Sequence, residues 1–173
     1  MDDRTYPQGA TPFYSKYVGG VLKFFRRSDN SEFYSIDGAN KRVGAVNHAQ
    51  QLRTRLTVAQ VNAGFTLLAA LPGYKYRLLD AAAIAVGGAV TTVTTVDILG
   101  TQSTVKKLVA FGQAALTQST LVRAGSAGGV LLADGASFAA CDANTAITAN
   151  ITGSSITVAT SVDFLLSYVI EVA

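Results

Sequence analysis

A chain of 173 residues in which 49% are hydrophobic and only 14% charged has room for one domain of ordinary size plus an appendage, and much of its surface must be neutral or covered. A single cysteine and a single histidine exclude an intrachain disulfide and leave too few ligands for a Cys/His zinc centre. The net charge of +3 gathers in residues 1–55, with nine Lys or Arg against five Asp or Glu, an excess far more diffuse than the basic clusters of a nucleic-acid binder.

Ala, Thr, Ser, Gly and Val replace the missing charge, a mixture that favours strands and turns, so helices should be rare. No run of about 18 apolar residues occurs, and the start, MDDRTYPQG, lacks the basic-then-apolar layout of a secretory signal. The expectation is a protein made and kept in a cytoplasm, with no membrane partner.

Residues 1–18 hold Pro7, Gly9 and Pro12 and show no period of 2 or 3.6, which predicts an extended arm. Across residues 20–37, GVLKFFRR and SEFYSID flank Asp29 and Asn30, residues that tolerate tight turns, which predicts a β-hairpin. An isolated hairpin is marginal in water and should rest on the body or on a neighbour.

Eight of the fifteen aromatic residues, Tyr6, Phe13, Tyr14, Tyr17, Phe24, Phe25, Phe33 and Tyr34, fall within the first 34 positions. Disordered segments are poor in aromatics, whereas Tyr, Phe and Arg are enriched where one protein anchors on another. These side chains therefore either pack on their own domain or hold a partner. Tyr6, Phe13, Tyr14 and Tyr17, with Arg26 and Arg27, are candidate partner-binding residues.

The polar stretch NHAQQLRTR gives way near residues 50–60 to an apolar, Thr-rich body, which divides the chain into an arm and hairpin, 1–52, and a β domain, 53–173. Arg53 and Arg55 lie two apart, so on a strand they face the same way. They form either a solvated face or a set of partners for acidic groups on another subunit, and both join the candidate set.

Short strands are predicted at 54–60, 65–70, 75–86, 93–100, 104–112, 118–123, 129–139, 145–152 and 156–172, separated by turn residues such as Pro72, Gly73, Gly87, Gly88 and Gly153. LLDAAAIAV is apolar on both faces, and Pro-Gly before it and Gly-Gly after it favour a central strand over a short helix. In the last segment Val162, Phe164, Leu166, Tyr168, Ile170 and Val172 alternate with positions that include Asp163, Ser167 and Glu171, the pattern of a half-buried strand. Eight or nine strands at this spacing argue for an antiparallel sandwich or barrel.

Groups able to carry chemistry are sparse. His48 has no nearby Cys, Ser-Gly motif or carboxylate cluster, and Cys141 sits in the small, apolar SFAACDAN, which predicts a buried, inert thiol. Asp134 and Asp142 lie in loop-like sequence without the spacing of a Ca²⁺ loop. Only two glutamates exist, and the Gly-Gly pairs precede no Lys and helix. The expectation is no enzyme, no cofactor, no metal, no small-molecule substrate and no specific nucleic acid.

The stretches VNAGFTLLAALPGYKYRLLDAAAIAVGG, TTVDILGTQ, AALTQSTLVRAG, VLLADGASFAACDANTAIT and VDFLLSYVIE, with GVLKFFRRSDNSEFYSIDG upstream, resemble virion proteins of tailed bacteriophages. In function the chain is most similar to capsid decoration, or cement, proteins. The resemblance implies a jelly-roll-like sandwich and a homotrimer on the virion's capsid surface, bound to the major capsid protein and to neighbouring cement subunits. Such a subunit would bury extra surface at capsomer junctions and stabilise the head. Related sandwich domains occur in head fibres, tail fibres and baseplates, so a receptor- or carbohydrate-binding role is the alternative. The chain has no Trp to serve as a platform for sugar stacking.

Overall fold

The structure, a computed structural model, describes residues 13–18, 21–26, 32–37, 42–44, 47–100, 106–126, 130–131 and 140–173. The chain divides into two compact units, Met1–His48 and Ala49–Ala173.

In the first unit β1 (Phe13–Val18), β2 (Val21–Arg26), β3 (Glu32–Asp37) and β4 (Arg42–Gly44) form one antiparallel sheet in sequential order. The hairpin expected over 20–37 is the β2–β3 pair, with Leu22 opposite Ile36 and Phe24 opposite Tyr34. Phe13–Val18, read as the end of an extended arm, is extended but paired: each of its six residues faces one of β2. Aromatic and β-branched residues suit such a pleated ladder. The turn residues Asp29 and Asn30, and Tyr6 and Arg27, lie outside the described residues.

The second unit opens with β5 (Ala49–Thr57) and the short helix α1 (Val58–Ala63). It continues through β6 (Phe65–Leu68), β7 (Tyr74–Val86), β8 (Val93–Gly100), β9 (Lys106–Gly112), β10 (Leu121–Arg123), β11 (Val130–Leu131), β12 (Ile147–Gly153) and β13 (Ser161–Val172). Two antiparallel sheets result, in the orders β10-β7-β13-β5 and β11-β9-β8-β12-β6. Among the described residues, and apart from the two-residue β11, the strands form two four-stranded sheets, and successive strands alternate between them except β8 and β9. That is the strand order of a jelly roll, the all-β sandwich that the sequence led us to expect.

Strand β5 begins at Ala49, inside the polar stretch where the composition changes, so the boundary between the two units precedes it and position 53 falls within the strand. The strand expected over 54–60 ends at Thr57, where a capping box takes over. The Thr57 hydroxyl accepts the Gln60 backbone N–H, and the Gln60 side-chain oxygen accepts the Thr57 backbone N–H. Reciprocal satisfaction of these orphan donors starts α1, and Val61 anchors it in the core. Residues 156–160, expected as strand, precede β13, and residues 118–120 precede β10.

The core lies between the sheets and is continuous. On β13, Val162, Phe164, Leu166 and Tyr168 point inward, directly opposite Ala85, Ala83, Ala81 and Leu78 of β7. Three of these four cross-strand pairs set a bulky side chain against alanine, which leaves depth for Val96, Ile98 and Phe111 from the facing sheet. Strand β7 is flanked by β10 and β13, so LLDAAAIAV is a central strand. Cys141 is buried in this core.

Candidate interaction surface

The inward alternation of β13 forces Asp163, Leu165, Ser167 and Glu171 onto the opposite, outer face of the sheet. Strand register brings them beside Arg53, Arg55 and Gln51 of β5 and Asp80 and Ala82 of β7. Strand β10 adds Leu121 and Arg123 across from Ile84 and Ala82. A register shift at Ser167 and Tyr168 moves Lys75 and Arg77 onto the same face and turns Leu79 outward, where it is exposed.

The charges on this face are layered. Arg55 donates to both oxygens of Asp163, Nε to Oδ1 at 2.6 Å and Nη2 to Oδ2 at 2.8 Å, and Arg53 approaches Oδ2 at 3.5 Å. The carboxylate is thereby covered: the Asp163 side chain is 5% exposed, against 59% for Arg55 and 73% for Arg53. The hydrogen bonds from Arg55 hold the Asp163 carboxyl below the usual carboxylate range, although desolvation pulls the other way. The same bonds push the Arg55 guanidinium up.

At one end of the face Arg77 donates to Glu171 at 2.7 and 3.2 Å, which lowers the carboxyl of Glu171. At the β10 side Arg123 pairs with Asp80, whose other oxygen accepts the Ala81 backbone N–H. Five basic residues, Arg53, Arg55, Lys75, Arg77 and Arg123, thus stand over three acidic ones. In each of these ion pairs the arginine is more exposed than its acid. A shallow depression of about 240 Å³ lies among Arg53, Asp80, Ala82, Arg123, Leu165 and Ser167.

Of the candidate residues of the first unit, Tyr14 and Tyr17 have described side chains. The Tyr14 ring stacks on Phe25 with centroids 5.3 Å apart, and the Lys16 ammonium lies 4.7 Å from the centroid of that same ring. Both contacts hold the unit together, since aromatic and cation–π pairs add to burial. Tyr17, on the opposite side of the strand, is 74% exposed, and β1 is the end strand of its sheet. Phe13 and Arg26 lie on β1 and β2, and their side chains are outside the described residues.

A third polar cluster, not expected from the sequence, lies on the outer face of the other sheet. Asp97 Oδ2 accepts from Thr152 at 2.6 Å and pairs with the Lys107 ammonium at 3.0 Å, and Lys107 also reaches Thr152 at 2.6 Å. The cluster ties β9, β8 and β12 together. Among the described residues Asp97 Oδ1 is buried with no hydrogen-bond partner, and such a loss costs about 1–3 kcal/mol. The only sequence signal is one Asp inside TTVDILG. Lys107 is remote from Thr152 in sequence, so the network is not visible there.

His48 is exposed beside β5, and Asp142 is exposed in a turn, its backbone carbonyl accepting the Thr145 hydroxyl. Asp134 lies outside the described residues. Among the described residues no group of three or more His, Cys, Asp and Glu could hold a metal ion, and no helix is long and apolar enough to cross a membrane. No protein-family model, curated protein or solved structure matches this chain.

Proposed function

We propose that this chain is a structural, partner-binding subunit of a tailed-bacteriophage particle: a decoration protein that binds the outer face of the major capsid protein shell as a homotrimer and stabilises the head. The observation that carries the reading is the union of a jelly-roll sandwich with a separate sheet whose end strand displays Tyr17 at 74% exposure. A large tyrosine spends little side-chain entropy for the contact area it supplies, which suits an anchor on another protein. The resemblance of the sequence to virion proteins supports the location on the particle, and a trimer would multiply each weak contact through avidity.

The test has two parts. Light scattering on the purified chain should give the mass of three copies, and quantitative mass spectrometry of purified phage particles should give a copy number comparable to that of the major capsid protein. Tyr17→Ser should lower occupancy on the shell while the trimer persists. A monomer that is absent from particles would overturn the proposal, and a copy number far below that of the shell would move the protein to a fibre or baseplate.

A further inference from the structure

We infer that the outer face of the β10-β7-β13-β5 sheet is a docking surface for an extended, acidic segment of a partner protein. The inference rests on the reading that this chain acts by binding other proteins, and it names the chemistry of one such partner.

Each carboxylate on the face is engaged by an arginine: Asp163 by Arg55 and Arg53, Asp80 by Arg123, Glu171 by Arg77. The guanidiniums are nonetheless the outer layer. Asp163 is 5% exposed beneath arginines at 59% and 73%, and Asp80 is 34% exposed beside Arg123 at 61%. Arg53 makes a single 3.5 Å approach to Asp163, so most of its five N–H donors face solvent. These side chains are also held over the sheet by the acids below them, which reduces the entropy that an incoming carboxylate must remove.

Arg53 on β5 and Arg123 on β10 border a depression that also includes Ala82 and Leu165. Their strands are the two outermost of four, three spacings or roughly 14 Å apart. An extended peptide advances about 3.3 Å per residue, so side chains four positions apart are roughly 13 Å apart and on one face. Carboxylates at i and i+4 match Arg53 and Arg123, and the side chain at i+2 falls over the apolar Ala82 and Leu165.

The interspersed acids decide between classes of polyanion. A nucleic acid presents phosphates at every step, and Asp80, Asp163 and Glu171 would repel those not seated on an arginine. A peptide can place its charges only where the guanidiniums stand and an apolar group between them. The face therefore fits a protein segment better than a nucleic acid.

The test uses the full chain and a fluorescein-labelled peptide of Gly and Ser carrying two glutamates four positions apart with leucine midway, read by fluorescence anisotropy. Binding should be lost with lysines in place of the glutamates, and it should weaken as NaCl rises from about 50 to about 500 mM. The double variant Arg53→Gln/Arg123→Gln, with its melting temperature checked, should weaken binding by about tenfold or more. Lys16→Gln, in the other unit, should leave it unchanged.

Failure to bind the acidic peptide, indifference to the double substitution, or tighter binding of duplex DNA would overturn the inference. So would a double variant that changes the oligomeric state, since the face would then be a contact between copies. The inference and the proposed function fail separately. Normal shell occupancy by the double variant, with peptide binding indifferent to it, would sink only the inference; intact peptide binding by a chain absent from particles would sink only the capsid assignment.

Discussion

Asp163 is an acid on the solvent side of a sheet that is nevertheless buried, because two arginines of the neighbouring strand lie over it. Its pairing with Arg55 has a definite pH signature. The carboxyl titrates below its unfolded value, chiefly because Arg55 hydrogen-bonds the charged form. The stabilisation is therefore complete above the ordinary aspartate value of about 3.9 and is lost as pH falls through the lower folded value. Asp163→Asn should lower the urea midpoint at neutral pH, and the gap from the unmodified chain should close on acidification below about pH 4. A gap that persisted in acid would mean that packing, and not the ion pair, makes Asp163 matter. The sequence placed Arg53 and Arg55 on one strand face but could not supply their partner, since Asp163 is 108 positions from Arg55. Tyr14 and Tyr17 show the same limit: both are aromatic and three apart, yet one is stacked on Phe25 and the other is displayed. Alternation separates faces; it does not say which face is covered.

At the level of elements, legibility followed the strength of the alternation. The pattern from Val162 to Tyr168 identified β13, and the flanking Pro-Gly and Gly-Gly identified β7 as a central strand. Strand β5 was harder, because Gln51, Arg53 and Arg55 on its outer face make a polar stretch while only Leu52 and Leu56 mark the inner one. An end strand can be this polar and still pair along its length with β13. The T-x-x-Q of Thr57 to Gln60 is the readable sign of α1, a faint one because the helix is only six residues long. The β7–β13 pairing makes its own prediction. Ala83 is fully buried, with Phe164 opposite it on β13 and Val122 opposite it on β10. Ala83→Leu adds volume where two bulky neighbours already meet, so it should destabilise the sandwich by about 1–3 kcal/mol, or more if the backbone cannot yield. Chemical denaturation measures this directly; a neutral result would mean that the space beside Phe164 is less filled than its burial implies.

For the whole molecule, the ends of the second unit are the decisive elements. Strand β5 is its first element and β13 its last, and they pair over nine positions from Ser161 opposite Thr57 to Val169 opposite Ala49. Among the described residues, every member of the buried core cluster belongs to Ala49–Ala173, so that fragment should fold alone. Residues 49–173 are therefore expected to give a β-type far-UV spectrum and one cooperative thermal transition. A fragment cut at the compositional boundary, residues 53–173, lacks Ala49 to Leu52, four of the nine pairs with β13, and the apolar contact of Leu52 with the core. Burying a leucine is worth about 1.5–3 kcal/mol when complete, and Leu52 is only partly buried, so the shorter fragment should lose about 1–2 kcal/mol against the longer one. Comparing the two under urea separates the alternatives: equal stability would place the first half of β5 outside the cooperative unit. The longer fragment also separates the two proposed surfaces, because it keeps Arg53 and Arg123 but lacks Tyr17. It should bind the acidic peptide as the full chain does while losing occupancy on particles.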